Sequence, residues 1–220
     1  MLLRNLISIA FCSLMGACAY GQSARHEHFK VKTYPLTLAD PRFKTLQFGI
    51  EKQIRSWAFD GAYGFRIGRK SGGFFDEIRS GRKLRLGVSW FFTPPGSLNP
   101  FLKLEFFHHQ FQANSYDNWY NPGDRDEQLH FDSASNTYKA RGLLISIGNR
   151  IYTDKKEHFF VDMSFGLGSR FVSNHFYDIK GIRPEYAALD HILFWNREAH
   201  TDGSVSYPTV DARLGLGLKL

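Results

Sequence analysis

Cysteine is nearly absent. The two in this 220-residue chain, Cys12 and Cys18, both lie in the first 21 residues. Once that segment is removed, neither a disulfide framework nor a cysteine-bound zinc is available. After residue 21 there is also no run of about 18 apolar residues, which excludes a membrane-spanning helix. No Gly-x-Ser-x-Gly elbow occurs. Gly166-x-Gly168 and Gly215-x-Gly217 lack the following helix and the Lys-Ser/Thr ending of a phosphate loop. The formal charge is +7, yet basic residues stand singly or in pairs such as Arg69-Lys70 and Lys155-Lys156. Without a basic helix, a zinc-finger spacing or an RNP-like aromatic motif, this charge does not point to nucleic acid. Attraction to anionic lipid headgroups is its expected use.

What the chain does have at its start is an export pattern. Arg4 supplies a positive n-region, and Leu6 to Ala17 form an apolar stretch too short to anchor in a bilayer. Ala17-Cys18-Ala19 and Ala19-Tyr20-Gly21 are small-x-small cleavage sites, so residues 1–21 are expected to be a signal peptide and 22–220 the mature domain. Met15-Gly16-Ala17-Cys18 is a weak match to a lipidation signal, with Met where Leu is usual.

The mature region alternates with period two, the signature of strands. Val210, Ala212, Leu214, Leu216, Leu218 and Leu220 share one face, against Asp211, Arg213, Gly215, Gly217 and Lys219. Leu84, Leu86, Val88, Trp90 and Phe92, and Val161, Met163, Phe165 and Leu167, repeat the pattern. Eight strands are predicted, at about 28–38, 44–54, 57–68, 83–92, 100–114, 136–151, 158–176 and 207–220. The joins at Arg55-Ser56, Thr93–Asn99 and Thr153–Glu157 are short. Those at 69–82, 115–135 and 177–206 are long, and only the first, near 39–43, breaks the alternation of short and long. An outer-membrane barrel has short periplasmic turns and longer outer loops. The fold expected is all-β, an eight-stranded antiparallel up-and-down transmembrane barrel.

A soluble barrel would hide its apolar face inside. Three features favour the inverse. The polar faces mix glycine with charges of both signs, Glu51, Asp60, Arg66, Arg85, Asp162, Arg170, Asp211 and Arg213. Small and pairable groups suit the filled lumen of an eight-stranded barrel. Trp57, Phe92, Phe101, Tyr152 and Phe159 gather near the short turns, as an interfacial aromatic girdle would. Lys52 and Asn149, which break the apolar face, lie close to strand ends. In strand five the phase of Leu102, Leu104 and Phe106 runs on into His108 and Gln110. Either the apolar band ends there, or a bulge at Phe106-Phe107 moves Phe111 and Ala113 onto the outer face.

This pattern resembles the small outer-membrane barrels of the OmpA/OmpX type and, more loosely, barrel proteins of Bacteroidota. The most specific match is the final strand, Arg213-Leu214-Gly215-Leu216-Gly217-Leu218-Lys219-Leu220. The resemblance implies an assembly signal at Arg213, Gly215, Leu218 and Leu220, read by the barrel-assembly machinery. Leu220 stands where the family usually ends on an aromatic. It further implies an outer-membrane location, with membrane lipid and lipopolysaccharide as surroundings.

Candidate chemistry is sparse. His26-x-His28 is a weak chelating pair on a tail, and adjacent His108 and His109 point to opposite faces of a strand. Ser146, Ser164 and Asp162 share polar faces, but no histidine is expected at their depth, and His130 and His175 lie toward the loops. The acidic, aromatic stretch Tyr116–Glu127 lacks EF-hand spacing and reads as a solvated loop, a place for an external ligand. Pro184–Glu198 has the pattern of a short helix over the barrel mouth. No catalytic residue, metal site or cofactor is predicted. The expected function is a non-enzymatic outer-membrane barrel with a structural or surface role. The alternatives are a narrow channel or small-solute transporter, a lipid-modifying enzyme, and a soluble ligand-binding barrel.

Overall fold

A computed structural model describes residues 27–38, 44–67, 77–92, 98–122, 129–154, 157–184 and 202–220. The predicted signal peptide, His26 of the His26-x-His28 pair and most of the predicted helix at 184–198 lie outside them. The described strands are β1 (Glu27–Thr33), β2 (Thr45–Ile54), β3 (Trp57–Arg66), β4 (Glu77–Phe91), β5 (Leu98–Tyr120), β6 (Leu129–Tyr152), β7 (Phe159–Lys180), the two-residue β8 (Arg183–Pro184) and β9 (Gly203–Lys219). All pairings are antiparallel. The order β5-β4-β3-β2-β1-β9-β7-β6 closes through β5–β6 into a ring of eight, with β8 added at the upper end of β6. Closure leaves no sheet edge around the waist.

Six predicted strand ends are corrected. The first strand stops at Thr33 rather than residue 38. Tyr34 donates its N–H to the Gln47 carbonyl at 3.2 Å, and Pro35–Leu38 form a 3-10 turn. Proline has no N–H for the ladder, so the strand ends in front of it. The connection between β1 and β2 is therefore longer than the sequence suggests, and short and long joins alternate throughout. The predicted loops at 69–82, 115–135 and 177–206 are also shorter than expected. β4 begins at Glu77, β5 runs on to Tyr120, β6 starts at Leu129, β7 reaches Lys180 and β9 starts at Gly203. Each of these ends has a paired neighbour, and the ladder continues wherever one is present.

The outer wall carries an apolar belt. It runs along Leu98–Phe106 of β5, Leu143–Ile151 of β6, Phe159–Leu167 of β7, Leu84–Phe92 at β4 and Val210–Leu218 of β9. Each stretch is nine residues long. At ~3.3 Å per residue and a tilt of ~40°, that makes a band about 23 Å tall, close to the ~25 Å of a barrel's lipid-facing zone. Leu104 is 54% exposed, and Ile145 and Leu167, which continue its row, are exposed too.

Above the belt both faces change character. On β5 the outward residues become His108, Gln110 and Gln112, while Phe107, Phe111 and Ala113 stay inward. The band ends at Phe106, and no bulge shifts the register there. Phe111 and Ala113 join Ile78, Tyr138, Ala140, Val172 and Tyr207 in an apolar core built from β4 to β7 and β9. Higher still, Tyr120, Phe131 and Phe176 pack at ring separations of 5.3–6.0 Å. One continuous sheet is thus apolar outside at its waist, and above it holds two apolar clusters inside, alongside buried Asn114, Asn136 and Asn174.

Candidate functional site

Alternation along the strands sends every second side chain inward. Within the belt these inward residues are largely polar or charged, and buried. Every strand of the ring contributes at least one ion: Lys30 and Lys32 from β1, Glu51 from β2, Asp60 from β3, Arg85 from β4, Lys103 and Glu105 from β5, Arg150 from β6, Asp162 from β7, and Asp211 and Arg213 from β9.

They form two braced groups. Arg150 is the hub of the first and is only 1% exposed. Its Nη1 and Nη2 donate to Glu51 at 2.7 and 2.8 Å, and its Nε and Nη2 donate to Asp162 at 2.6 and 2.8 Å. The guanidinium is sandwiched between Phe91 and Phe160, with centroids 4.8 and 4.3 Å away. Planar bidentate pairing combined with ring stacking is a geometry arginine makes and lysine does not. Lys32 bridges the same two carboxylates, pairing with Glu51 and lying 2.9 Å from Asp162. Lys30 is 3.4 Å from Glu51 and donates to Gln53 and, at 3.1 Å, to the Tyr152 hydroxyl.

The second group centres on Glu105. It accepts from Arg85 at 2.8 Å and from both terminal nitrogens of Arg213 at 2.7 and 2.8 Å, and pairs with Lys103 at 2.8 Å. Lys103 reaches on to Asp60 at 2.8 Å, and Asp211 joins Arg85 at 3.2 Å and Arg213. Tyr34, buried beyond the end of β1, lies between the groups with Arg213 5.7 Å over its ring. An unpaired ion in such a place would carry a desolvation penalty of several kcal/mol. Here the three cations of the second group face three carboxylates, and the three of the first face two.

Close packing uses glycine where a side chain would collide. A Cβ on Gly87 would lie 2.4 Å from Lys103 Cε and 2.8 Å from Asp60, inside that ion pair. A Cβ on Gly217 would lie 2.0 Å from the Phe160 ring. The space left among Lys32, Tyr34, Lys103, Arg150 and Asp162 is about 10 Å³, room for about one water.

Of the charges singled out in the sequence, Glu51, Asp60, Arg85, Asp162, Asp211 and Arg213 lie in these groups. Arg66 and Arg170 occupy inward positions at higher levels, outside both. Lys30, Lys32, Lys103, Glu105 and Arg150 were not singled out. The alternation of Leu102, Leu104 and Phe106 would have marked Lys103 and Glu105, and that of Ile145, Ile147 and Asn149 would have marked Arg150. The girdle needs amendment too. Trp57, Phe92 and Phe159 face outward, but Phe101 is 4% exposed and packs on Phe91 inside, and Tyr152 turns inward to Lys30. Trp90 takes their place outside, 6.3 Å from Trp57 and 5.0 Å from Phe92. Lys52 extends over the Phe29 ring at 5.4 Å.

In the final strand Gly215 faces inward, where a Cβ would lie 3.3 Å from Tyr34, while Leu218 and Leu220 are exposed on the outer wall. Ser146 is buried and Ser164 half-buried, and no imidazole bonds to either among the described residues. His130 lies 3.1 Å from Asp117, and His175, on the outer surface, 3.4 Å from Asp202. Among the described residues no group of three His, Cys, Asp or Glu side chains is placed to hold a metal ion.

No protein-family model and no curated protein sequence matches this chain. Among solved structures it is similar to the N-terminal β-barrel domain of OprF from Pseudomonas aeruginosa, at 14% identity and a TM-score of 0.40, over 89% of this chain and 100% of that one. The chain is an eight-stranded antiparallel β-barrel with an apolar waist and an ionic interior braced from all eight strands.

Proposed function

We propose that this protein is a non-enzymatic outer-membrane barrel with a closed lumen, which holds its long-stranded upper end outside the cell. The observation that carries this reading is the inversion at the waist: exposed Leu, Ile and Phe outside, cross-paired Lys, Arg, Glu and Asp inside. Water offers no reason to expose such a belt, whereas a bilayer rewards it. The short turns then face the periplasm. The strand extensions above the belt, which enclose the two inner apolar clusters, stand in water.

A channel needs a continuous wet path. The two ionic groups reach inward from all eight strands, and the pocket between them, beside Lys32, Tyr34, Lys103, Arg150 and Asp162, has space for about one water. Three measurements test the reading: gel mobility, ion current and solubility without detergent. In unboiled gels of outer-membrane extract the folded protein is expected to migrate apart from the boiled form. Purified protein in planar bilayers is expected to give no steady ion current. Protein that stays dissolved without detergent would overturn the membrane assignment, and a stable unit conductance would overturn the closed lumen.

A further inference from the structure

Just above the apolar belt, the outer face of β4, β5 and β6 carries a compact set of cations. The register sets Arg82 opposite Gln110 and Gln110 opposite Lys139. In the next row Leu84, His108 and Arg141 stand side by side. With strands ~4.8 Å apart, the two rows cover a patch about 10 Å wide. Arg82 donates to the Gln110 side chain at 2.7 Å, and Arg141 lies over the exposed Phe171 ring at 5.3 Å, so two of the three cations are held in place. Arg82, Lys139 and Arg141 are all exposed. No carboxylate occurs in either row from β3 to β7, and among the described residues none pairs with these three side chains. Directly below lie Leu86, Phe106 and Leu143 of the belt. The same level of β9 carries Ser204, Ser206 and Pro208, so the charge is confined to one side.

In the two interior groups every cation lies against a carboxylate, whereas here three cations stand together with no carboxylate paired to them among the described residues. From this we infer that the Arg82–Lys139–Arg141 patch binds the phosphoryl groups of a phosphorylated glycolipid of the outer leaflet. The acyl chains of such a lipid lie along Phe106 and Leu143, its phosphates meet the guanidinium and ammonium donors, and Gln110 and His108 offer further hydrogen bonds to sugar or phosphate. The side of the belt matters. The patch is on the long-strand end, which the proposed orientation places in the outer leaflet. The inference rests on that reading, and its test is run only on protein whose unboiled gel band shows a folded barrel.

The full-length mature protein in detergent is titrated with lipid A carrying two phosphates, with the same lipid stripped of phosphate, and with phosphatidylglycerol, and bound lipid is counted by native mass spectrometry. Bisphosphorylated lipid A is expected to bind at least about tenfold more tightly than either comparison lipid. The triple variant Arg82→Gln, Lys139→Gln, Arg141→Gln is expected to lose that preference while keeping the folded gel band. Equal binding by the triple variant, or equal binding of the phosphate-free lipid, overturns the site. Equal binding of phosphatidylglycerol overturns the assignment to a glycolipid. If the triple variant does not assemble, Gln110→Glu removes no cation but sets a carboxylate beside Arg82. It must weaken lipid A binding several-fold, and unchanged binding counts against the site.

Discussion

At the residue scale Arg150 carries the most consequence. Its guanidinium serves two carboxylates and two rings at once, and it is buried among them. Replacing it with Met would leave Glu51 and Asp162 with only the lysines to offset them. The loss from breaking one side of a buried pair is about 3–5 kcal/mol. Urea unfolding of the barrel in lipid vesicles is expected to show a drop of that size for Arg150→Met. Arg150→Lys is expected to recover only part of it, since a lysine cannot make the double fork. A second test at this scale concerns Gly217. Gly217→Ala puts a methyl against the Phe160 ring, and overpacking of that kind costs about 1–3 kcal/mol. An unchanged unfolding midpoint would mean that the ring moves aside freely.

At the scale of the element, β5 changes the character of its outer face along its length. Leu98 to Phe106 point their outward side chains into the belt, and His108 to Gln112 point theirs above it. A charge introduced at Leu104 falls near mid-belt and should cost about 2–4 kcal/mol, whereas the same charge at exposed Gln112 should cost close to nothing. Folding titrations of Leu104→Arg and Gln112→Arg in the same vesicles read the difference directly. Equal costs at both positions would mean that the belt does not meet lipid. Here the sequence signal was half legible. The phase of Leu102, Leu104 and Phe106 marked the outer face, but it could not say whether the phase slipped at Phe107. That question is decided by Ile78, Tyr138 and Val172, residues of three other strands that pack on inward Phe111 and Ala113.

At the scale of the whole molecule, the orientation proposed here places Trp57 and Trp90 at the periplasmic border of the belt and Trp119 well above it. Single-tryptophan variants in vesicles of bromine-labelled lipid should separate them. Fluorescence from Trp57 and Trp90 is expected to be strongly quenched, and that from Trp119 little affected. Quenching of Trp119 as deep as that of Trp57 would contradict the placement of the bilayer.

Local rules carried much of this fold. Side-chain alternation has a period of two whatever the partner strand, so hydrophobic phase alone marks which residues share a wall. Turn residues mark where the chain reverses, so eight strands and their up-and-down order were legible before any contact was known. Pairing between distant residues was not. Glu51 meets a guanidinium 99 residues away and Arg85 a carboxylate 126 residues away, and no local pattern encodes such distances. The lengths of β5, β6 and β7 depended likewise on neighbours. Polar stretches such as Tyr116–Tyr120 look like loops in isolation, and become strand only because a partner offers hydrogen bonds and a shared core.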